Sequence, residues 1–214
     1  MLSWLRFGLF VVSRNVRWMT WNLFLAFVPL GLSFWLFRPG RSRSLLWWIG
    51  LITFVAFLPN APYVLTDIIH LINDIRRGYS VWTITLLLIP QYLLFMMAGM
   101  EAYVLSLINL GSYLKRQGWG KFVIWAELAL HILSAIGIYL GRFLRYNSWD
   151  IVTRLDTLAT TVIDDLVAKR PAFVMFITLV VITSLYWLMK QMTLAIGAYW
   201  HGIQANKTSH PSPL

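Results

Sequence analysis

Two carboxylates and one imidazole follow each other at helical spacing in the segment FLPNAPYVLTDIIHLINDIRRG, residues 57–78. In a helix that begins at Thr66, the side chains of Asp67, His70 and Asp74 share one face, because positions i, i+3 and i+7 align. Such groups can bind a divalent metal ion, or the imidazole can relay protons. An amphipathic helix at a membrane surface also needs a polar face without any chemistry. The three residues are therefore candidate catalytic residues and candidate metal ligands.

Two prolines interrupt the apolar run just before this polar stripe. Pro59 and Pro62 lack a backbone N–H, so each leaves a carbonyl one turn earlier without its helical donor. Each proline also favours extended geometry in the residue before it, which predicts an end or a break of the helix. The amide of Asn60 can donate and accept hydrogen bonds, so it could bridge the freed carbonyls or contact a ligand. Asn60 and Tyr63 are candidate ligand-binding residues.

A second polar motif, GIYLGRFLRYNSWD, covers residues 137–150. Arg142 and Arg145 stand at i and i+3 on one helix face, and paired arginines suit a carboxylate or a phosphate. They are candidate catalytic residues that pair with Asp67 or Asp74 or hold an anionic ligand; snorkelling to lipid phosphates is the alternative. The motif closes on two candidate ligand-binding residues that also fit a helix N-terminal capping box, namely Asn147 and Asp150.

Other signals lie inside apolar segments. Glu127 and His131 stand at i and i+4, and Glu101 could be their neighbour; ionisable residues within a membrane span are functional hypotheses by default. Gly137 and Gly141 form a pair of small residues that allows close packing of helices.

The composition indicates that lipid is the main solvent of the chain. Of 214 residues, 59% are hydrophobic and 12% are charged, whereas a soluble domain has about 45–50% and about 25%. The absence of cysteine excludes disulfides and Cys-based cofactors; a divalent metal stays possible. The net charge of +10 comes with no nucleic-acid motif, so membrane lipids are the expected partners of the Lys and Arg side chains. The sequence does not decide between a protein partner, a homo-oligomer and a monomer.

A membrane-spanning helix needs about 20 mostly apolar residues. Stretches of this kind predict an all-α, polytopic transmembrane bundle of about five spans within one domain, 1–200. The predicted spans are about 18–37, 45–65, 81–103, 122–140 and 172–189. An interfacial amphipathic helix is expected after the PNAP break, and a disordered tail over 201–214. The segment MLSWLRFGLFVVS before the first span either lies on the interface or is part of another helix.

Charges in the loops suggest an orientation. The loops around 38–44 and 115–121 carry Lys and Arg without any acidic residue. The positive-inside rule counts Lys and Arg rather than net charge, and by that count the two sides are nearly even, because the other side also holds many, among them Arg76, Arg77 and Arg142. We take the acid-free loops as cytoplasmic and expect the side with Asp67 and Asp74 to be extracytoplasmic.

Three blocks of the sequence resemble the hallmark blocks of an uncharacterised bacterial membrane-protein family, catalogued as a domain of unknown function. They are WNLFLAFVPL (21–30), FLPNAPYVLTDIIHL (57–71) and GIYLGRFLRYNSWD (137–150). The resemblance implies a multi-spanning protein of the bacterial plasma (inner) membrane without an established activity. It also implies one more apolar helix at the N-terminus, which would give six spans.

Three functions are compatible with these patterns. The polar cluster could be the site of a membrane enzyme that acts on a lipid-linked or envelope substrate. The chain could instead be a small-solute transporter or channel gated at the PNAP break. Finally, it could be a structural or assembly subunit whose Asp and Arg residues form an internal lock.

Overall fold

The computed structural model describes residues 2–144 and 169–209, and every element in those two ranges is helical. The helices are α1 Leu2–Leu36, α2 Leu45–Phe57, α3 Asn60–Tyr63, α4 Ile68–Ile75, α5 Val81–Thr83, α6 Ile89–Arg116, α7 Val123–Phe143 and α8 Lys169–Ser209. Short turns of 3₁₀-helix cover Val64–Asp67 and Gly120–Phe122, and a π-helical segment covers Ile84–Leu88.

In the part of the chain that the structure describes, five helical runs are long and apolar enough to cross a membrane. They are Phe7–Leu36, Leu45–Ile75, Val81–Arg116, Gly120–Phe143 and Arg170–Trp200. The predicted all-α bundle of five spans is therefore confirmed. Successive spans alternate in direction, so the bundle has two ends. We call the end with the turn 76–80 the motif end, and the end with residues 37–44 and 115–122 the basic end.

The first and last helices are longer than the sequence predicted. Helix α1 begins at Leu2, so the N-terminal segment continues the helix of the first span. Helix α8 runs on to Ser209, past residue 201, where a disordered tail was expected to begin.

Leu58 and Pro59 interrupt the second span between α2 and α3, but their backbone stays helical, contrary to the expectation of extended backbone before each proline. Leu58 has φ −54° and ψ −38°, and Pro59 has φ −60° and ψ −24°, both helical. The backbone hydrogen bond here spans three residues instead of four, because the Ala61 N–H donates to the Leu58 carbonyl over 3.2 Å. The side-chain amide of Asn60 donates to the Phe57 carbonyl over 2.9 Å. The side chain of Asn60 thus gives the Phe57 carbonyl a donor. The carbonyls that the two prolines deprive of a helical donor are those of Val55 and Leu58, so the predicted bridge to a freed carbonyl stays a prediction.

Two glycines on neighbouring helices make room for this segment. A Cβ atom at Gly99 of α6 would lie 3.0 Å from the Ala61 carbonyl and collide with the side chain of Val64. A Cβ atom at Gly137 of α7 would lie 2.8 Å from the ring of Pro59. The proline-containing turn is therefore wedged between α6 and α7, and this packing maintains the helical path against the local preference.

The polar face of α4 points into the bundle. Asp67 and Asp74 are 1% and 3% exposed, whereas the side chains on the opposite face are exposed, namely Ile68, Ile69, Ile72 and Ile75. Thr66 does not cap the helix, because its hydroxyl donates to the Tyr63 carbonyl over 2.7 Å. The run Leu45–Ile75 has 31 residues and spans roughly 46 Å, so α4 extends beyond a hydrocarbon core of about 30 Å into the head-group region.

Candidate functional site

Two matched hydrogen bonds join α1 to the second span. The Asn22 amide donates to Asp67 Oδ2 over 2.8 Å, and the Asn15 amide donates to Asp74 Oδ2 over 2.8 Å. Asn15 and Asn22 are seven residues apart, as are Asp67 and Asp74, and this spacing covers about 10 Å along a helix. The two helices run in opposite directions. The stripe of the first motif therefore has a complementary stripe of asparagines on α1.

Asp67 lies in an ion pair with the second motif. Arg142 Nη1 is 3.4 Å from Asp67 Oδ1, and Nη2 donates to the Thr66 carbonyl over 2.8 Å. The same guanidinium is 3.5 Å from the hydroxyl of Tyr63 and 5.8 Å from the centre of its ring. The predicted pairing between the two motifs is thus confirmed for Arg142 and Asp67. Together with Asn22, this pair ties three spans to one buried carboxylate.

Asp74 has its own set of partners nearer the motif end. Arg14 Nη2 lies 2.5 Å from Asp74 Oδ1, and the hydroxyl of Tyr92 donates to Oδ2 over 3.2 Å. Arg77, one turn further along, approaches Oδ1 to 3.4 Å. Arg14 also donates to the hydroxyl of Tyr79. Both motif carboxylates are therefore buried and held by several donors.

Sequence reasoning missed the partners that α1 supplies. Arg14, Asn15 and Asn22 are polar residues within or beside the first apolar run, and the two asparagines have the same seven-residue spacing as the two aspartates. That shared spacing was the signal available in the sequence.

His70 borders an open cavity at the motif end. Its side chain is 46% exposed, and its Nε2 lies 3.7 Å from Asp67 Oδ1, which is beyond hydrogen-bond distance. The ring packs against Trp18 with 4.8 Å between ring centres. The cavity has a volume of about 270 Å³, and its lining includes Arg14, Trp18, His70, Asn73, Asp74 and Arg77.

The charge of the cavity favours an anion. Arg14 and Arg77 contribute two positive charges and Asp74 one negative charge, so one positive charge is left over before His70 is counted. Within residues 2–144 and 169–209, no three His, Asp or Glu side chains form a group that could hold a metal ion. The possible metal ligands Asp67 and Asp74 belong to separate clusters.

Some candidates lie elsewhere. Arg145, Asn147 and Asp150 fall outside the described residues. Asn60 and Tyr63 are partly buried at the PNAP turn, where the Asn60 amide donates to the Phe57 carbonyl and the Tyr63 hydroxyl accepts from Arg142.

A second polar cluster lies within the spans, between α6, α7 and α8. Lys190 Nζ is 2.6 Å from Glu127 Oε1, and His131 Nδ1 is 2.8 Å from the hydroxyl of Tyr103. Glu127 and His131 thus have different partners. Glu101, proposed as their neighbour, accepts a hydrogen bond from Thr193 instead. Lys190 was overlooked, although it is a charged side chain inside the last apolar run.

The chain belongs to the family described as "Protein of unknown function (DUF1361)", whose sequence profile matches residues 21–184. This confirms the resemblance to a domain of unknown function. No curated protein and no solved structure matches the chain.

Proposed function

Starting from membership of that family, we propose that the chain binds the phosphate head group of a lipid-linked ligand in the motif-end cavity. The observation that carries the proposal is the lining of the cavity, in which two arginines face one carboxylate. The unmatched positive charge would be neutralised by an anionic ligand, and the planar guanidinium groups suit bidentate contact with phosphate oxygens.

The size and position of the cavity support a head group attached to a lipid. A volume of about 270 Å³ is slightly below the range of about 300–1,000 Å³ for small-molecule sites, so it suits a head group better than a whole amphiphile. Exposed Ile69 and Ile72 of α4 lie on the outer face of the same helix. The apolar part of such a ligand can contact these side chains along the bundle surface.

His70 is the candidate for proton transfer in this site. It is the exposed titratable side chain of the lining, and an imidazole can give and take a proton near neutral pH. Asp67 and Arg142 are positioning residues for His70, because both already contact each other and other partners. An enzymatic reaction on the bound head group would therefore depend on His70 rather than on the aspartates.

The setting we propose is the bacterial inner membrane, with the motif end outside. The six Lys and Arg residues in the two loops of the basic end are the basis of this orientation, although the motif end also holds Lys and Arg. The ligand would then come from the outer leaflet.

Binding of dodecyl phosphate to the purified full-length protein in detergent, with dodecanol as the neutral reference, tests the proposal. Arg77→Gln should weaken binding about tenfold, since a half-exposed charge-assisted contact is at the low end of its range. Arg76→Gln is the matched control, because Arg76 is the adjacent exposed arginine and does not line the cavity. Equal weakening by both variants would show a diffuse charge effect and contradict the proposed site.

A structural function is the second candidate, and the burial of Asp67 favours it. Asp67 is joined to Asn22 of α1 and to Arg142 of α7, so it connects three spans, as an internal lock would require. The transporter alternative has less support. Ala61 and Pro62 of the supposed gate are buried, and Ala26 and Leu30, both buried and apolar, follow Asn22 on α1.

A further inference from the structure

The basic end of the bundle carries an unbalanced positive charge. Residues 37–44 and 115–122 contain six cations and no acidic residue; they are Arg38, Arg41, Arg43, Lys115, Arg116 and Lys121. The ion pairs found among the described residues all involve Asp67, Asp74 or Glu127. None of these carboxylates belongs to this end, so its charge has no acidic counterpart within the described residues.

Aromatic rings and carbonyls hold several of these cations in place. Arg41 lies over the ring of Trp35, with 4.2 Å from Cζ to the ring centre. Arg43 donates to the hydroxyl of Tyr113 over 2.9 Å. Contacts of this kind orient a guanidinium without cancelling its charge. The charges of these arginines therefore stay available to an anion.

A second cavity opens at this end, between α1 and α6. It has a volume of about 250 Å³ and is lined by residues that include Ser33, Phe37, Arg38, Asn109, Ser112 and Arg116. The full lining contains two arginines and no carboxylate, so its excess of positive charge is larger than that of the motif-end cavity.

The polar lining is pre-organised. Arg116 Nη2 donates to the Phe37 carbonyl over 2.5 Å, which fixes its guanidinium at the rim. Inside, the amide of Asn109 donates to the hydroxyl of Ser33 over 2.9 Å, and that hydroxyl donates to the Leu30 carbonyl over 2.8 Å. Ser33 is fully buried. Such a preset arrangement loses little side-chain entropy when an anion binds.

We propose that this cavity binds the phosphate of an anionic phospholipid from the leaflet at the basic end. The cavity lies where α1 and α6 end, at the depth expected for head groups. Phe34, which also lines it, is 59% exposed and can contact an acyl chain. Cytoplasmic leaflets are rich in anionic lipid and attract basic segments, which agrees with the orientation expected from the loops. The site is separate from the motif-end cavity and does not depend on its function.

Native mass spectrometry of the full-length protein, delipidated and then titrated with phosphatidylglycerol or phosphatidylcholine, tests this site. Wild type should retain phosphatidylglycerol in preference to phosphatidylcholine, and Arg38→Gln should weaken that binding about tenfold. Lys121→Gln is the matched control, since it removes one charge from the same end outside the cavity and should leave binding within about twofold. The loss caused by Arg38→Gln should be the same in an Arg77→Gln background, which weakens any binding at the motif end, so that failure here is distinguishable from failure of the proposed function.

Three outcomes would overturn the lipid site. Equal loss in Arg38→Gln and Lys121→Gln would reduce it to a diffuse electrostatic effect of the basic end. Equal retention of phosphatidylcholine would remove the anionic preference. Competition by inorganic phosphate at millimolar concentration, with no phosphatidylglycerol retained in its presence, would identify a soluble phosphate as the occupant instead.

Discussion

Arg142 of α7 and Asp67 of the second span face each other across the bundle, with 3.4 Å between Nη1 and Oδ1. Their exposures differ: the Arg142 side chain is 20% exposed and that of Asp67 1%. Loss of either partner therefore leaves the remaining charge in a different environment. An unpaired Asp67 has no route to water, whereas an unpaired Arg142 can extend towards the head groups.

We expect Arg142→Gln to destabilise the protein more than Asp67→Asn does. Leaving a buried charge without its partner costs about 3–5 kcal/mol, and this applies most fully to Asp67. The double variant should recover much of the loss, because neither charge is left unpaired. Thermal unfolding of the four proteins in detergent measures the effect. A double variant that loses as much as both single variants combined would show that the two residues do not act as a pair.

The two Asn–Asp hydrogen bonds should contribute separately to stability. Asn22→Ala and Asn15→Ala each remove a donor from a buried carboxylate, at a cost of about 1.5–3 kcal/mol. The sites are about 10 Å apart along the helix, so the two losses should be nearly additive. Asn73→Ala, on the exposed side of α4, serves as the control and should have little effect on the unfolding temperature. Strong non-additivity would mean that the two clusters form one network.

The wedge at PNAP depends on the absence of a side chain at Gly99. Gly99→Ala would push against Val64 and the Ala61 carbonyl, and overpacking of this kind costs about 1–3 kcal/mol. Gly31→Ala is the matched control, because a Cβ atom there meets nothing within 4 Å. It should be neutral or slightly stabilising, since alanine favours helix over glycine. Comparable melting temperatures for both variants would contradict the wedge.

Helix α8 should depend on its intramembrane ion pair. Lys190→Met leaves Glu127, whose side chain is 12% exposed, without a partner and should lower the unfolding temperature. Glu127→Gln combined with Lys190→Met should restore most of it, because no charge is then stranded. Gln191→Met, at the exposed neighbouring position, controls for the change in side-chain type. If Lys190→Met melts like Gln191→Met, the pair contributes nothing to the docking of α8.

The orientation can be tested cleanly because the chain has no cysteine. We expect Ser80→Cys to react with a membrane-impermeant maleimide in intact cells, and Ser42→Cys only after permeabilisation. The two positions flank the second span at opposite ends of the bundle. The opposite pattern would reverse the proposed orientation, and labelling of both from outside would show that residues 45–75 do not cross.

The spans were predictable because a long apolar stretch favours lipid over water, and hydropathy can be calculated from a short stretch of sequence without knowledge of tertiary contacts. The bond between Asp67 and Asn22 was not predictable, because it depends on the register of α1 against the second span, which the pattern of either helix alone does not determine. Arg142 could be predicted because two spans separate the motifs and bring them to the same side. The backbone before Pro59 was predicted wrongly, since a local preference was outweighed by packing against Gly99 and Gly137.

The inward polar face of α4 has a consequence for biosynthesis. When a ribosome releases Asp74, its partners Arg14 and Asn15 have already been made, so a hairpin of the first two spans can neutralise that carboxylate at once. Asp67 must wait for Arg142, which follows 75 residues later and takes roughly 4–15 s to synthesise. During that interval Asn22 is the hydrogen-bond donor that can shield it, with His70 nearby. The second span should therefore settle at its final depth only after the fourth has entered the membrane, which makes insertion of this protein a concerted rather than a strictly sequential process.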